Sequence, residues 1–221
     1  MSEERTIVTI SKENLNALPA AEFKGRIRII DRDFQVEEAI KDLRKNSLIG
    51  FDTETRPSFR KGQSYKLALV QLSTPDCCYL FRTCKIGIPE PLKEILEDPA
   101  VTKVGLSVHD DFHSLHKLSP IEPQSFIELQ QMVKEYKIAD NSLSRIYGIL
   151  FGKRICKGQR LTNWEAETLT DAQQSYAALD AFACIEIYNH LMEGKFDPSQ
   201  SPYLTTLQET EANELPNEEC E

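Results

Sequence analysis

A chain of 221 residues and 25.2 kDa has the length of one domain with a sizeable core, or of one domain with tails. Its hydrophobic content of 40% and charged content of 28% are ordinary for a soluble globular protein, and no apolar run approaches the roughly 20 residues a bilayer span needs. The charged start MSEERTIVTISKEN has no apolar signal region, so a cytoplasmic protein with no membrane partner is expected. The net charge of −9 speaks against a polyanionic partner only until its distribution is read. Seven of the 35 acidic residues follow Lys195, and the rest of the chain carries 28 acidic against 26 basic residues. Charge therefore neither supports nor excludes nucleic acid. The six cysteines form no CxxC pair and read as reduced thiols, some of them in the core.

In chain order, residues 1–25 form an N-terminal extension with a strand near Thr6–Ile10 and a short helix near Lys12–Leu18. Residues 26–31 (RIRIID) read as a strand. Asp33 is then the expected N-cap of a helix whose apolar positions Val36, Ala39, Ile40 and Leu43 have helical spacing. SLIGFDTE (47–54) is an apolar run that ends in charge. YKLALVQLST (65–74) and CCYLFR (77–82) are two strands joined by the turn TPD, expected to pair antiparallel. EPLKEILED (90–98) is a helix opened by Pro91 and stopped before Pro99. TKVGLS (102–107) is a strand leading into a helix with Asp110 and Asp111 in its first turn, and SFIEL (125–129) is a short strand. Two helices follow, the second capped by Ser142 and stopped at Gly152. A basic, irregular segment KRICKGQR then precedes a long helix from about Asp171. Strands in series followed by alternation with helices predict an α/β fold with a central mixed sheet flanked by helices. Residues 197–221 are polar, acidic and non-periodic, with three prolines, and are expected to be a disordered tail.

Three features carry chemistry. In GFDTET, Asp52 and Glu54 end a strand and, being two apart, share one face of it. Two carboxylates so placed repel unless a proton or cation lies between them. In SYAALDAF, Tyr176 and Asp180 are four apart on one helical face, among small alanines that allow close approach to a sheet. An aspartate within an apolar helix is costly unless paired or metal-bound. The third feature, VHDDFH, puts aspartates at a helix N-terminus, where the macrodipole alone favours them.

Together the motifs resemble the three exonuclease motifs of the DEDD superfamily. The tyrosine matches the DEDDy branch. GFDTE, LALVQLST, CYLF and SYAALDAFACIEIY are similar to the ribonuclease D family, and most of all to the Werner-type exonuclease domain and its stand-alone bacterial relatives. The resemblance spans residues 26–196. It implies a ribonuclease H-like fold and a 3′-5′ exonuclease that releases nucleoside 5′-monophosphates from DNA or RNA 3′ ends. It also implies four metal-holding carboxylates, Asp52, Glu54, Asp111 and Asp180, with Tyr176 beside them as a catalytic residue. Alignment on the family pattern selects Asp111 rather than Asp110. Hard oxygen ligands suit Mg²⁺ or Mn²⁺, two ions per site, able to clamp the attacking and leaving oxygens at phosphorus. The sharper likeness to the Werner-type domain favours DNA slightly over RNA; the helical accessory domains that ribonuclease D carries are not expected in the short acidic stretch after the long helix.

Five basic residues are expected at the nucleic acid: Arg56, Arg60 and Lys61 after the DxE motif, and Lys157 and Arg160 in the basic segment. Trp164 is expected in the core. Two competing readings are a zinc hydrolase built on His109, His113 and His116, and a binding module without catalysis. The first lacks the glutamate such a motif prefers, and the second lacks a gap in the carboxylate set.

Overall fold

The computed structural model describes residues 5–60, 62–63 and 65–207. The main sheet has six strands: β2 (Arg26–Ile30), β3 (Leu48–Thr55), β4 (Leu67–Ser73), β5 (Cys77–Phe81), β6 (Thr102–Gly105) and β7 (Phe126–Glu128). Their order is β2-β5-β4-β3-β6-β7. The β4 pairings to β3 and β5 are antiparallel and the other three are parallel, so the mixed sheet expected from the sequence is present.

Alternation along β3 divides its residues between two cores. Ile49 and Phe51 pack with helices α2 (Val36–Leu43) and α4 (Glu90–Glu97) in one apolar cluster. Gly50, by contrast, lies against α8 (Asp171–Met192) on the opposite face. There Leu69 and Leu80 pack on Ala177, Ala178, Ala181 and the fully buried Trp164. Core packing of Trp164 is as expected. Helices α1 (Lys12–Ala17), α5 (Val108–His116), α6 (Leu129–Glu135) and α7 (Leu143–Phe151) complete the layers. Ser142 caps α7, its Oγ accepting from the Arg145 N–H at 3.4 Å, and Gly152 ends it in the left-handed region at φ 62°.

Two expectations need correction, and one short element went unforeseen. Asp33 is not a helix N-cap: it opens a 3-10 turn over Asp33–Gln35, and the Gln35 side chain accepts from the Asp31 and Arg32 N–H groups at 3.0 and 3.1 Å. A short helix, α3 (Thr83–Ile86), had no apolar period long enough to reveal it. The second correction concerns the ends of the chain. Residues 204–207, expected within a disordered tail, form strand β8 (Leu204–Leu207), antiparallel to β1 (Arg5–Val8). The N-terminal segment is equally bound in: Val8 and Ile10 are fully buried against α7 and α8 residues. Asp140 accepts from the Ile10 N–H at 3.0 Å and pairs with Arg145 at 2.9 Å. The acidic density that suggested disorder lies mostly beyond residue 207, outside the described residues. Among the described residues no helix is long and apolar enough to cross a membrane.

Candidate active site

The site begins with a close approach of helix to strand. A Cβ placed on Gly50 would lie 1.9 Å from the carbonyl oxygen of Ala181. Only glycine lets the α8 backbone rest on β3 there, and the fully buried Ala177, Ala178 and Ala181 keep the helix down. Asp180, next to Ala181, is thereby brought to Asp52 and Glu54. One carboxylate oxygen from each of the three lies within 4.8 Å of the others.

Asp111 arrives from the other side of the strand. The parallel partner β6 pairs only with Leu48–Gly50 of β3, so the end of β3 that carries the carboxylates is paired on the β4 side alone. Helix α5 crosses that gap. Thr53, pointing away from the Asp52 and Glu54 face, donates its hydroxyl to Asp111 Oδ1 in a short hydrogen bond. Asp110 is exposed, so geometry agrees with Asp111 as the inward carboxylate.

Electrostatics follow from this crowding. Burial, then the charge of Asp180, raises the Asp52 carboxyl well above its ordinary value. Burial, then Asp52, Asp180 and Asp111, pushes Glu54 up to about 10. Burial and Asp52 push Asp111 up to about 8. Burial pushes Asp180 up to about 7, opposed by its hydrogen bond from Tyr176 and by Lys157. Burial and the carboxylates raise the Tyr176 phenol too, so without a cation it stays protonated. Four carboxyls forced together in this way hold protons at neutral pH or surrender them to a cation.

The residues fit a hard divalent cation. Asp180 Oδ1 is buried and has no hydrogen-bond partner, an unmet acceptor facing a set of oxygen-only donors. Gln71 lies directly opposite Asp52 across the β3–β4 ladder, fully buried, with neither amide atom hydrogen bonded. The donor set does not suit zinc. The three α5 histidines are exposed and do not gather into a metal cluster among the described residues, so the zinc hydrolase reading finds no support.

A family profile described as 3′-5′ exonuclease matches residues 27–194. The chain belongs to the 3′-5′ exonuclease family. It is 32% identical over 200 residues to mouse bifunctional 3′-5′ exonuclease/ATP-dependent helicase WRN, covering 86% of this chain and 14% of that protein. It is 30% identical over 203 residues to an Arabidopsis thaliana 3′-5′ exonuclease, covering 83% and 69%. Among solved structures, Escherichia coli RNase D superposes with a TM-score of 0.68 at 25% identity, over 76% of this chain and 44% of that one. The Aedes aegypti Nibbler EXO domain superposes with a TM-score of 0.71 at 21% identity, over 82% and 97%. The chain thus spans one seventh of the length of WRN and about two thirds of the plant relative. These likenesses agree with the ribonuclease H-like fold and the DEDD-type kinship read from the motifs.

The described basic residues fall in two groups, one after the DxE motif and one in the segment before Trp164. Arg56 stacks on the Tyr65 ring at 4.7 Å and pairs with Glu165 at 3.3 Å. With Arg60 it lines a cleft of about 420 Å³. Phe59 and Leu161, which the sequence reading passed over, also line this cleft and are 80% and 58% exposed. Their exposure is a property of the fold, so an apolar letter in a polar loop was the only signal. Lys157, in the 3-10 turn Lys157–Gln159, acts electrostatically on Asp180, and Arg160 on Glu54. Lys61 lies outside the described residues. Trp164 packs its ring 6.1 Å from that of Tyr176, and the buried Arg82 holds the Trp164 segment by donating to Ala166 O at 2.5 Å.

Proposed function

We propose that the protein shortens nucleic acid from the 3′ end, releasing nucleoside 5′-monophosphates, with Asp52, Glu54, Asp111 and Asp180 as metal ligands and Tyr176 as a catalytic residue. The observation that carries this reading is the meeting of Asp52, Glu54 and Asp180 oxygens within 4.8 Å, with Tyr176 one turn from Asp180 on the same helical face. Two divalent cations, Mg²⁺ or Mn²⁺, supply when bound the Lewis acidity that activates water and neutralises the departing 3′ oxygen.

The chain's own residues do the rest. Asp52, Glu54 and Asp180 would hold one cation, and Asp111 with Asp52 would hold a second. The Tyr176 hydroxyl, on the same helical face as Asp180, orients the attacking water by hydrogen bonding. Its phenol is pushed above its ordinary value, so it serves as an orienting group rather than a strong base. Lys157 and Arg160 face the carboxylates and bind the scissile phosphate. Arg56 and Arg60 track the strand behind it, beside the apolar tips of Phe59 and Leu161. Arg56 presents its guanidinium preset by Tyr65 and Glu165.

DNA is the proposed substrate, supported by the 32% identity to a protein named as an exonuclease/helicase. RNA is the second reading, favoured by the likeness to Escherichia coli RNase D, named as an exoribonuclease. Side-by-side digestion of 5′-labelled DNA and RNA oligomers with Mg²⁺ or Mn²⁺ tests both. Stepwise shortening is expected, abolished by chelator and by Asp52→Ala or Asp180→Ala. Activity that survives either treatment refutes the carboxylate site.

A further inference from the structure

Helix α5 starts from an unfavourable turn. Ser107, its N-cap, sits at φ 62° and ψ 34°, a left-handed conformation that costs a residue with a side chain. Its hydroxyl makes no cap to its own helix. The capping comes instead from the neighbouring strand. Glu128 Oε1 accepts from the Ser107 N–H at 2.9 Å and Oε2 from the Val108 N–H at 2.8 Å. The same Oε1 accepts from the Gln130 N–H at 2.9 Å. Gln130 closes the loop by donating to Ser107 Oγ at 2.9 Å.

The turn has no slack. A Cβ on Gly105, the residue paired with Glu128 in the β6–β7 ladder, would lie 2.6 Å from Val108 Cγ1 and 3.0 Å from Phe51 O. Asp111 lies one turn further along α5, and among the described residues its one recorded hydrogen bond to β3 is from Thr53. Wherever the Ser107 turn points the helix, Asp111 follows. A strained turn held by three hydrogen bonds from outside its own element is over-determined, as strain next to a functional group has to be if it is to persist.

We infer that Glu128, assisted by Gln130, is a positioning residue: it clamps the Ser107 turn and so fixes where α5 presents Asp111. This rests on the reading of Asp111 as a metal-site carboxylate. Glu128 acts by holding the backbone N–H groups of Ser107 and Val108, and its charge also raises Asp111.

The test uses Glu128→Gln, which keeps the shape and removes one acceptor. It is expected to lose activity by about ten- to a hundredfold, with a matching rise in the Mg²⁺ concentration needed for half-maximal rate. Adding Ser107→Gly in the same chain is expected to recover most of that loss, because glycine adopts this φ without the clamp. A residue that mattered only for folding, or that met the substrate directly, gives no such rescue. Gln130→Met keeps the carboxylate bonds and is expected to shift the Mg²⁺ requirement in the same direction by a smaller factor. Hydrogen exchange of the amides of residues 108–111 in metal-free protein reads the clamp without any activity, and is expected to quicken in Glu128→Gln. Wild-type protein that digests nothing, with exchange still quickened, refutes the nuclease reading and leaves the clamp standing. An active Glu128→Gln protein with unchanged Mg²⁺ requirement and unchanged exchange overturns the clamp, as does a double variant no better than the single.

Discussion

Gly50→Ala probes the central claim that the site is assembled by a helix lying on a strand. The added Cβ would meet Ala181 O at 1.9 Å, Ala181 C at 2.8 Å and Ile185 Cγ1 at 3.1 Å. Two of these are backbone atoms in mid-helix, so no side chain can swing aside. Bringing the first contact to an ordinary separation of about 3.2 Å lifts α8 from β3 by about 1.3 Å. Overpacking of this kind costs about 1–3 kcal/mol. The larger effect falls on the site. Asp180 is next to Ala181, and Asp52 is two residues, about 7 Å, along β3 from Gly50. The three carboxylates would separate by much of that lift, whereas Mg²⁺ accepts only about 0.2 Å of deviation at each ligand. A displacement near 1 Å is expected to lower kcat by about a hundredfold. The assay pairs stepwise digestion of a 5′-labelled oligomer with urea unfolding of the same sample. Loss of rate well beyond the loss of folded fraction is expected, with partial recovery in Mn²⁺, the less demanding ion. A Gly50→Ala protein that digests within threefold of wild type refutes the argument that this contact sets the site.

Asp180→Asn is expected to lose activity on the order of a thousandfold or more, through lost cation binding. The same change is expected to stabilise the metal-free protein by about 1–3 kcal/mol, because it removes a buried carboxyl from among its like. Calorimetry in chelator checks this, and a destabilised variant contradicts it. The pH dependence of the metal-free fold follows from the same groups. Their folded values are raised, to about 7 for Asp180 and about 8 for Asp111, so the folded state keeps protons that the unfolded chain releases near pH 4. Stability contributed there is expected to fall as pH rises from about 5 to 8, and added Mg²⁺ to raise Tm more at pH 8 than at pH 5.5. A metal-free Tm that climbs across that window overturns the sign. Arg82→Met removes donors from Ala166 O and Trp164 O and is expected to cost about 2–3 kcal/mol in urea unfolding, with a raised KM as the segment carrying Glu165, the partner of Arg56, loosens.

How much of this was legible before any coordinates depends on whether a residue acts along its own element or across two. The period-two spacing of Asp52 and Glu54 and the period-four spacing of Tyr176 and Asp180 are properties of single elements, and the structure places both pairs as their spacing implies. The alanines around Asp180 similarly announced a close approach, though not that Gly50 was its counterpart. Thr53 was invisible for the reason that made its neighbours visible: it alternates to the other face, where a carboxylate 58 residues away waits for it. Gln71 sits in a run read as apolar strand, and only the β3–β4 register sets it against Asp52. The β1–β8 pairing joins the two ends of the described chain, and no local pattern carries such a pairing.

The same distinction explains where the fold stores its cost. Local preference and tertiary position agree in most of the sheet; Ser125 and Lys137 also hold positive φ and Arg82 Nε lacks a partner, but several of the conflicts gather at the carboxylates. Gln71 and Asp180 leave buried polar atoms without partners, Ser107 holds a left-handed turn, and four acidic groups are raised above their ordinary values within one site. Each of these destabilises the metal-free protein, and each involves or adjoins a residue that faces or sets the same few cubic ångströms. A merely structural polar cluster would be relieved by nearby lysines or arginines in direct contact. Here Lys157 and Arg160 act on the carboxylates, yet no ion pair joins either of them to Asp52, Glu54, Asp111 or Asp180 among the described residues. Bases held near but apart leave room for two things of opposite sign between them, a cation at the carboxylates and a phosphate at the bases, which is the arrangement phosphodiester cleavage requires.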